Sequence, residues 1–126
     1  MIKKIEIQSV KSKNCDLLFL NQIKKNINNI NRFFFLSAKS NCIRGEHAHK
    51  RCTQYLIAIN GNIKIKLDDG KKTNIKIIKE LRNMVEIKPM TWLTVYLKKG
   101  QKLLVICNKN YSENEYIRDY KLFKKS

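Results

Sequence analysis

Apolar positions along the chain recur mostly at every second residue. Ile63-Lys64-Ile65-Lys66-Leu67 alternates strictly, so its three apolar side chains share one face of a strand. Asp68-Asp69-Gly70 follows as a hairpin turn, because Asp-Gly tolerates the positive φ such turns need, and Thr73 to Ile78 returns. Gln54 to Asn60 is almost continuously apolar, as expected of a strand buried on both faces. Arg32 to Leu36 holds three aromatics in a row, a strand composition. The same reading predicts strands over Met84 to Lys88, Thr91 to Leu97 and Lys102 to Cys107, with a tight turn at Lys98-Lys99-Gly100-Gln101. Ile5-Glu6-Ile7 and Leu17 to Leu20 are shorter candidates. Two segments depart from this period. Ile23, Ile27 and Ile30 stand at i, i+4 and i+7 within Asn21 to Asn31, which fits a helical turn or a loop. Ser112 precedes Glu115 by three residues, a capping box that predicts a short helix through Tyr116, Ile117 and Tyr120. Many short strands separated by turn signals predict an all-β sandwich or barrel with a short C-terminal helix.

The 126 residues are the length of one ordinary domain, read here as a single unit over 1–126. With 43% apolar residues the chain can build a core without a metal or disulfide staple. No apolar run approaches the ~20 residues of a membrane span. Met1-Ile2-Lys3-Lys4-Ile5-Glu6 lacks the apolar stretch of a leader peptide, so a cytoplasmic protein with no membrane partner is expected. Cys15, Cys42, Cys52 and Cys107 show neither a CxxC nor a zinc spacing and read as ordinary thiols.

A net charge of +17 suggests an anionic partner. However, 22 Lys, 17 Ile and 14 Asn all have A/T-rich codons, so base composition accounts for much of that charge. Only 5 Arg are present, and Arg is the residue suited to forked recognition of bases. The expected partner is therefore a small anion and not a nucleic acid.

Both histidines lie in Arg44-Gly45-Glu46-His47-Ala48-His49. At i and i+2 on a strand they point to the same face. In a barrel interior that places two imidazoles in one cavity, suited to taking a proton from one atom and delivering it to the next. His49 is followed by four residues, Gln54, six residues and Gly61. This is the spacing of the first cupin motif, HxH(x)3–4E(x)6G, with Gln in place of Glu. A cupin metal site needs a carboxylate there and a third histidine later. Gln54 is neutral, and Pro89-Met90-Thr91-Trp92-Leu93-Thr94 carries no His, so neither metal nor other cofactor is expected.

Arg44-Gly45-x-His47-Ala48-His49-Lys50, Gln54, Asn60-Gly61 and Leu67-Asp68-Asp69-Gly70 together resemble the metal-free cupin sugar-nucleotide 3,4-ketoisomerases. Arg32-Phe33-Phe34-Phe35-Leu36 is similar to that family's Arg-Val-Tyr-Tyr-Ile strand. Tyr111-x-Glu113-x-x-Tyr116-Ile117-Arg118-Asp119-Tyr120-x-x-Phe123 is similar to its C-terminal signature. The resemblance covers about residues 30–124. It implies a small double-stranded β-helix (jelly-roll) barrel. It also implies an isomerase that moves a ketone between C4 and C3 of a nucleotide-linked 4-keto-6-deoxyhexose, with dTDP as the expected nucleotide. Such a step serves deoxyamino-sugar biosynthesis for surface glycans. Carried over by position, His47 and His49 are the catalytic pair. Arg44 is a candidate ligand for the diphosphate or for oxyanion charge. Gln54, Phe34, Phe35 and Trp92 are candidate substrate contacts. Phe34 and Phe35 stand where the family often places a tyrosine that touches the sugar. The N-terminal Arg-Gly-x-Leu element is replaced by Lys13-Asn14-Cys15-Asp16-Leu17. A homodimer is implied. Two other readings remain open at this point: a 3,5-epimerase of the related cupin type, and a non-catalytic cupin that binds an anionic sugar nucleotide.

Overall fold

Eight consecutive strands pair in nested order. They are β4 (Arg32–Ser37), β5 (Cys42–His49), β6 (Gln54–Asn60), β7 (Ile63–Asp68), β8 (Thr73–Ile78), β9 (Asn83–Ile87), β10 (Trp92–Leu97) and β11 (Lys102–Cys107). β4 pairs with β11, β5 with β10, β6 with β9 and β7 with β8, all antiparallel. This is one long hairpin rolled up, and the lateral pairs β6–β11 and β7–β10 close it into two facing sheets. The result is an all-β barrel, as the strand pattern predicts, and it has the jelly-roll form that the family resemblance implies. These positions come from a computed structural model that describes residues 3–126 except Gln22 and Asn28. Met1 and Ile2 of the leader reading, and those two residues of the Asn21 to Asn31 reading, lie outside the described residues.

The first sheet runs β1-β9-β6-β11-β4, with β1 (Lys3–Glu6) added at one edge. The second runs β12-β5-β10-β7-β8, with β12 (Tyr116–Ile117) at its edge. β2 (Gln8–Val10) and β3 (Leu17–Phe19) form a separate ribbon, and α1 is one turn over Ile23–Asn26. The alternation in β7 buries Ile63, Ile65 and Leu67 between the sheets, beside Leu56, Ala58, Val95 and Leu103. β6 is buried on both sides because its other face, Tyr55 and Ile57, is covered by Ile5, Ile27 and Met84. At ~25 cal/mol per Å² of apolar surface, each such fully covered Leu or Ile stabilises the fold by about 1.5–3 kcal/mol before entropy is counted. No helix among the described residues is long and apolar enough to cross a membrane. All four cysteines are free thiols, with Cys52 and Cys107 buried.

The tail differs from the predicted helix. Residues Glu113–Glu115 form a single 3-10 turn, and the Ser112 side chain makes no cap. Tyr116 and Ile117 then extend as β12 against His49 and Ala48 of β5. The helix, α2 (Tyr120–Lys125), starts later and is capped by Asp119, which accepts from the Leu122 amide at 3.2 Å. The physical reason lies in Glu115. Its carboxylate is buried and accepts from the backbone amides of Arg51 and Cys52, the latter at 2.9 Å. A carboxylate with two buried amide donors far along the chain outcompetes one solvated capping bond.

Candidate active site

A cavity of about 180 Å³ opens between the two sheets. Its floor is apolar: Leu56 of β6, Leu93 and Val95 of β10, and Leu103 and Val105 of β11. Its polar wall is built from Arg44, His47, Gln54, Tyr116 and Arg118, with Phe34 opposite. Pockets for drug-sized ligands span roughly 300–1,000 Å³. This cavity therefore suits one small ring, with any larger attached group left at the mouth.

Arg44 and His47 are three residues apart, so a regular strand would send them to opposite faces. A β-bulge prevents this. Leu93 of β10 faces His47 and Thr94 faces Gly45, which leaves Glu46 as the extra residue on the outer surface. Gly45 (φ 82) and Glu46 (φ 59) both carry positive φ. A Cβ at Gly45 would lie 2.6 Å from the Leu93 carbonyl oxygen, so only glycine fits. The Arg-Gly-x-His sequence is thus a device that turns arginine and histidine into the same cavity.

The bulge also sets the chemistry of His47. Its Nδ1 lies 3.1 Å from the Gly45 carbonyl oxygen. A carbonyl only accepts, so Nδ1 carries the hydrogen and Nε2 keeps its lone pair. Burial lowers the pKa of His47; the Gly45 contact acts the other way, and the charge of Arg118 adds to the lowering. The group is thus a neutral base at pH 7.

His49 lies on the same face as His47, with ring centroids 5.0 Å apart and planes at 82°. It does not line the cavity. It is 4% exposed, and among the described residues neither ring nitrogen has a hydrogen-bond partner. Burial, then the neighbouring charges of His47 and Arg32, pull its pKa down to about 4. The expectation of two imidazoles in one cavity is corrected on this point: His47 faces the space and His49 stands behind it.

Tyr116 completes that wall, and the predicted helix concealed it. Its ring packs 4.9 Å from His47 and 4.4 Å from His49. Its hydroxyl accepts from Arg32 Nη2 at 2.8 Å. The Arg118 guanidinium lies over the ring at 4.3 Å and is held by Glu113 through two contacts, 2.5 and 3.2 Å. That pairing, then the Tyr111 hydroxyl, holds the Glu113 carboxyl at about 2, and the two residues are exposed. Tyr116-x-Arg118 has the two-residue spacing of an extended segment, the sequence signal that points to a strand and not a helix here.

Gln54 is buried at the cavity wall, with Nε2 donating to Cys107 Sγ at 3.6 Å. Two expected contacts are elsewhere. Phe34 faces the cavity, but its neighbour Phe35 points outward and is 54% exposed, as alternation along β4 demands. Trp92 is on the outer face of β10, opposite Leu93. It packs with Ala48, Ile117 and Phe123 and anchors α2 to the sheet. Among the described residues no group of three or more His, Cys, Asp or Glu is placed to hold a metal ion.

Known proteins share both sequence and fold with this chain. A TDP-4-oxo-6-deoxy-alpha-D-glucose-3,4-oxoisomerase of Aneurinibacillus thermoaerophilus is 29% identical over 94 residues, 74% of this chain and 68% of the relative. The structure of a TDP-fucose-3,4-ketoisomerase from Campylobacter jejuni is 32% identical, covers 98% of this chain and 93% of its own, and superposes with a TM-score of 0.83. A sugar 3,4-ketoisomerase from Thermoanaerobacterium thermosaccharolyticum, solved with TDP, is 27% identical, covers 98% and 92%, and superposes at 0.88. The family described as FdtA: WxcM-like, C-terminal matches residues 1–126. The resemblance read from the histidine and tail motifs therefore holds: the chain belongs to the FdtA (WxcM-like, C-terminal) family and is an isomerase of the 3,4-ketoisomerase kind.

Proposed function

We propose that the protein converts a dTDP-linked 4-keto-6-deoxyhexose into its 3-keto isomer, with His47 as the base at C3. One observation carries the assignment of the base: Nδ1 of His47 is committed to the Gly45 carbonyl, which leaves the Nε2 lone pair in a cavity the size of one sugar ring. The C4 ketone acidifies the C3 hydrogen. Nε2 removes it, the C3–H electron pair becomes the C3=C4 bond, and charge collects on O4. The apolar floor keeps water from that enediolate, and the fixed charge of Arg44 stabilises it. The His47 imidazolium exchanges its hydrogen with solvent and then delivers a proton to C4 as the ketone forms at C3. Arg118, at the same wall and exposed to solvent, is placed for the diphosphate at the mouth. The 3-ketone is the electrophile an amination step requires, which supports a role in deoxyamino-sugar synthesis. A homodimer fits the exposed Phe33 and Phe35. They extend the apolar outer face of β11, where Ile106 and Leu104 lie opposite them.

The test is incubation with dTDP-4-keto-6-deoxyglucose in D2O, followed by NMR of the sugar. Migration of the ketone with deuterium at C4 is expected, and His47→Asn is expected to slow it by ~10²-fold or more. Deuterium at C3 and C5 with inversion would identify a 3,5-epimerase instead. Binding without exchange at any carbon would leave a non-catalytic binder.

A further inference from the structure

Moving a ketone from C4 to C3 moves two protons, one between carbons and one between oxygens. His47 accounts for the first. The second needs a group in the cavity that both donates and accepts a proton. The guanidinium groups of Arg44 and Arg118 carry donors only and have no acceptor. The Gln54 amide is a poor acid and is turned toward Cys107. His49 does not line the cavity. Phe34, on the inward face of β4, has no hydroxyl. Among the described residues that line the cavity, Tyr116 is the one that carries a hydroxyl.

We infer that Tyr116, clamped by Arg32, is the acid and base that carries the proton between the two sugar oxygens. The inference rests on the ketoisomerase reading above. Its geometry has three parts. The Tyr116 hydroxyl accepts a hydrogen bond from Arg32 Nη2 at 2.8 Å, and a guanidinium cannot accept in return. The phenolic hydrogen is therefore directed away from Arg32 and is free for a ligand. The ring is fixed by pairing of β12 with β5, by Arg118 at 4.3 Å and by His47 at 4.9 Å, so the hydroxyl is held in place before substrate arrives. Arg32 itself is oriented over Phe34 at 5.4 Å and Tyr111 at 5.5 Å. Its cation lies where a phenolate formed in passing needs a counter-charge.

The step balances. His47 takes the C3 hydrogen and the C4=O π pair moves to O4, where the Arg44 charge holds it; O4 then takes the proton of Tyr116 in a separate step. The phenolate, held against Arg32, then removes the hydrogen from the O3 hydroxyl. That O–H pair forms the C3=O bond, the C3=C4 π pair takes the proton from His47 at C4, and Tyr116 is again protonated. No external oxidant or reductant is involved.

The experiment measures two rates with dTDP-4-keto-6-deoxyglucose in D2O: deuterium exchange at C3, and appearance of the 3-ketone. If the native protein shows neither, the ketoisomerase reading fails, whatever Tyr116 does. If the native protein shows both, Tyr116→Phe is expected to keep C3 exchange within about 10-fold while ketone migration falls by ~10²-fold or more. Arg32→Gln, which frees the hydroxyl from its clamp, is expected to slow migration less than Tyr116→Phe and again to spare exchange. Equal losses of exchange and migration in Tyr116→Phe would mean a merely structural role and would overturn the inference. Unchanged migration would overturn it too. Chemical denaturation of each variant identifies any loss due to unfolding, and native-like stability of one variant is enough for the comparison.

Discussion

The buried, unpartnered imidazole of His49 should make the fold sensitive to acid over a range where carboxylates are still ionised. His49 titrates near 6.5 in an unfolded chain and at about 4 in the folded one. Above pH 6.5 both states are neutral and the group contributes nothing to pH dependence. As pH falls below 6.5, the unfolded chain binds a proton that the folded chain refuses until about pH 4. Protons then favour the unfolded state, and stability falls. Linkage puts the loss at about 1 kcal/mol by about pH 5.5, and at about 2–3 kcal/mol by about pH 4.5, where it levels off as the folded state is protonated in turn. Urea denaturation followed by Trp92 fluorescence at about pH 7.5, 6.5, 5.5 and 4.5 measures this. The reference is His49→Gln, which lacks the titrating group but keeps His47. The native protein should lose about 2–3 kcal/mol more than the variant between pH 7.5 and 4.5. Parallel curves for the two proteins would refute the view that His49 is kept neutral by burial.

Three further outcomes follow from the geometry. Gly45→Ala must place a Cβ 2.6 Å from the Leu93 carbonyl at positive φ, so it should destabilise the protein by about 2 kcal/mol or more in the same denaturation assay. It should also lower turnover by disturbing the carbonyl that holds His47. The pH profile of kcat/KM should fall on the acid side with an apparent pKa below 6.5, because burial lowers the pKa of His47; an acid limb centred above 6.5 would point to another base. Dialysis against a chelator should leave turnover unchanged, and a large loss restored by one divalent metal would contradict the proton-transfer mechanism.

The strands were legible because their information is local. Ile63 to Leu67 carries its own period, and β6 and β8 fall on the predicted boundaries. The site was legible where chemistry is concentrated, in Arg44-Gly45-Glu46-His47. The misreadings share a cause. Phe35 aligns with a family tyrosine and Trp92 has the ring for stacking, but the parity of their own strands sends both outward. Ser112 and Glu115 match a local capping rule that predicts helix in the tail. The true partners of Glu115 are amides more than sixty residues earlier, which no local rule registers. Arg32 and Tyr116 meet across 84 positions of sequence. Their hydrogen bond is invisible until the barrel brings the two edges of the sheets together. The bulge at Gly45 lies between these cases: glycine marks the position, but only the register with β10 reveals that Arg44 and His47 share a side.

The nested pairing of β4 to β11 has a consequence for the order of assembly. Inner hairpins such as β7–β8 join near neighbours, whereas each outer pair closes a longer loop at greater entropic cost. The cavity draws on the outermost layers, Phe34 on β4 and Val105 on β11, and on Tyr116 from the short β12 beyond them. During synthesis the histidines leave the ribosome while the wall beside them is still untranslated. Until β12 arrives, the edge of β5 has no covering strand, and the base has no enclosed space in which to work. Competence for proton transfer therefore arrives last, and a chain truncated before Tyr116 should keep much of its sheet structure yet have no enclosed site.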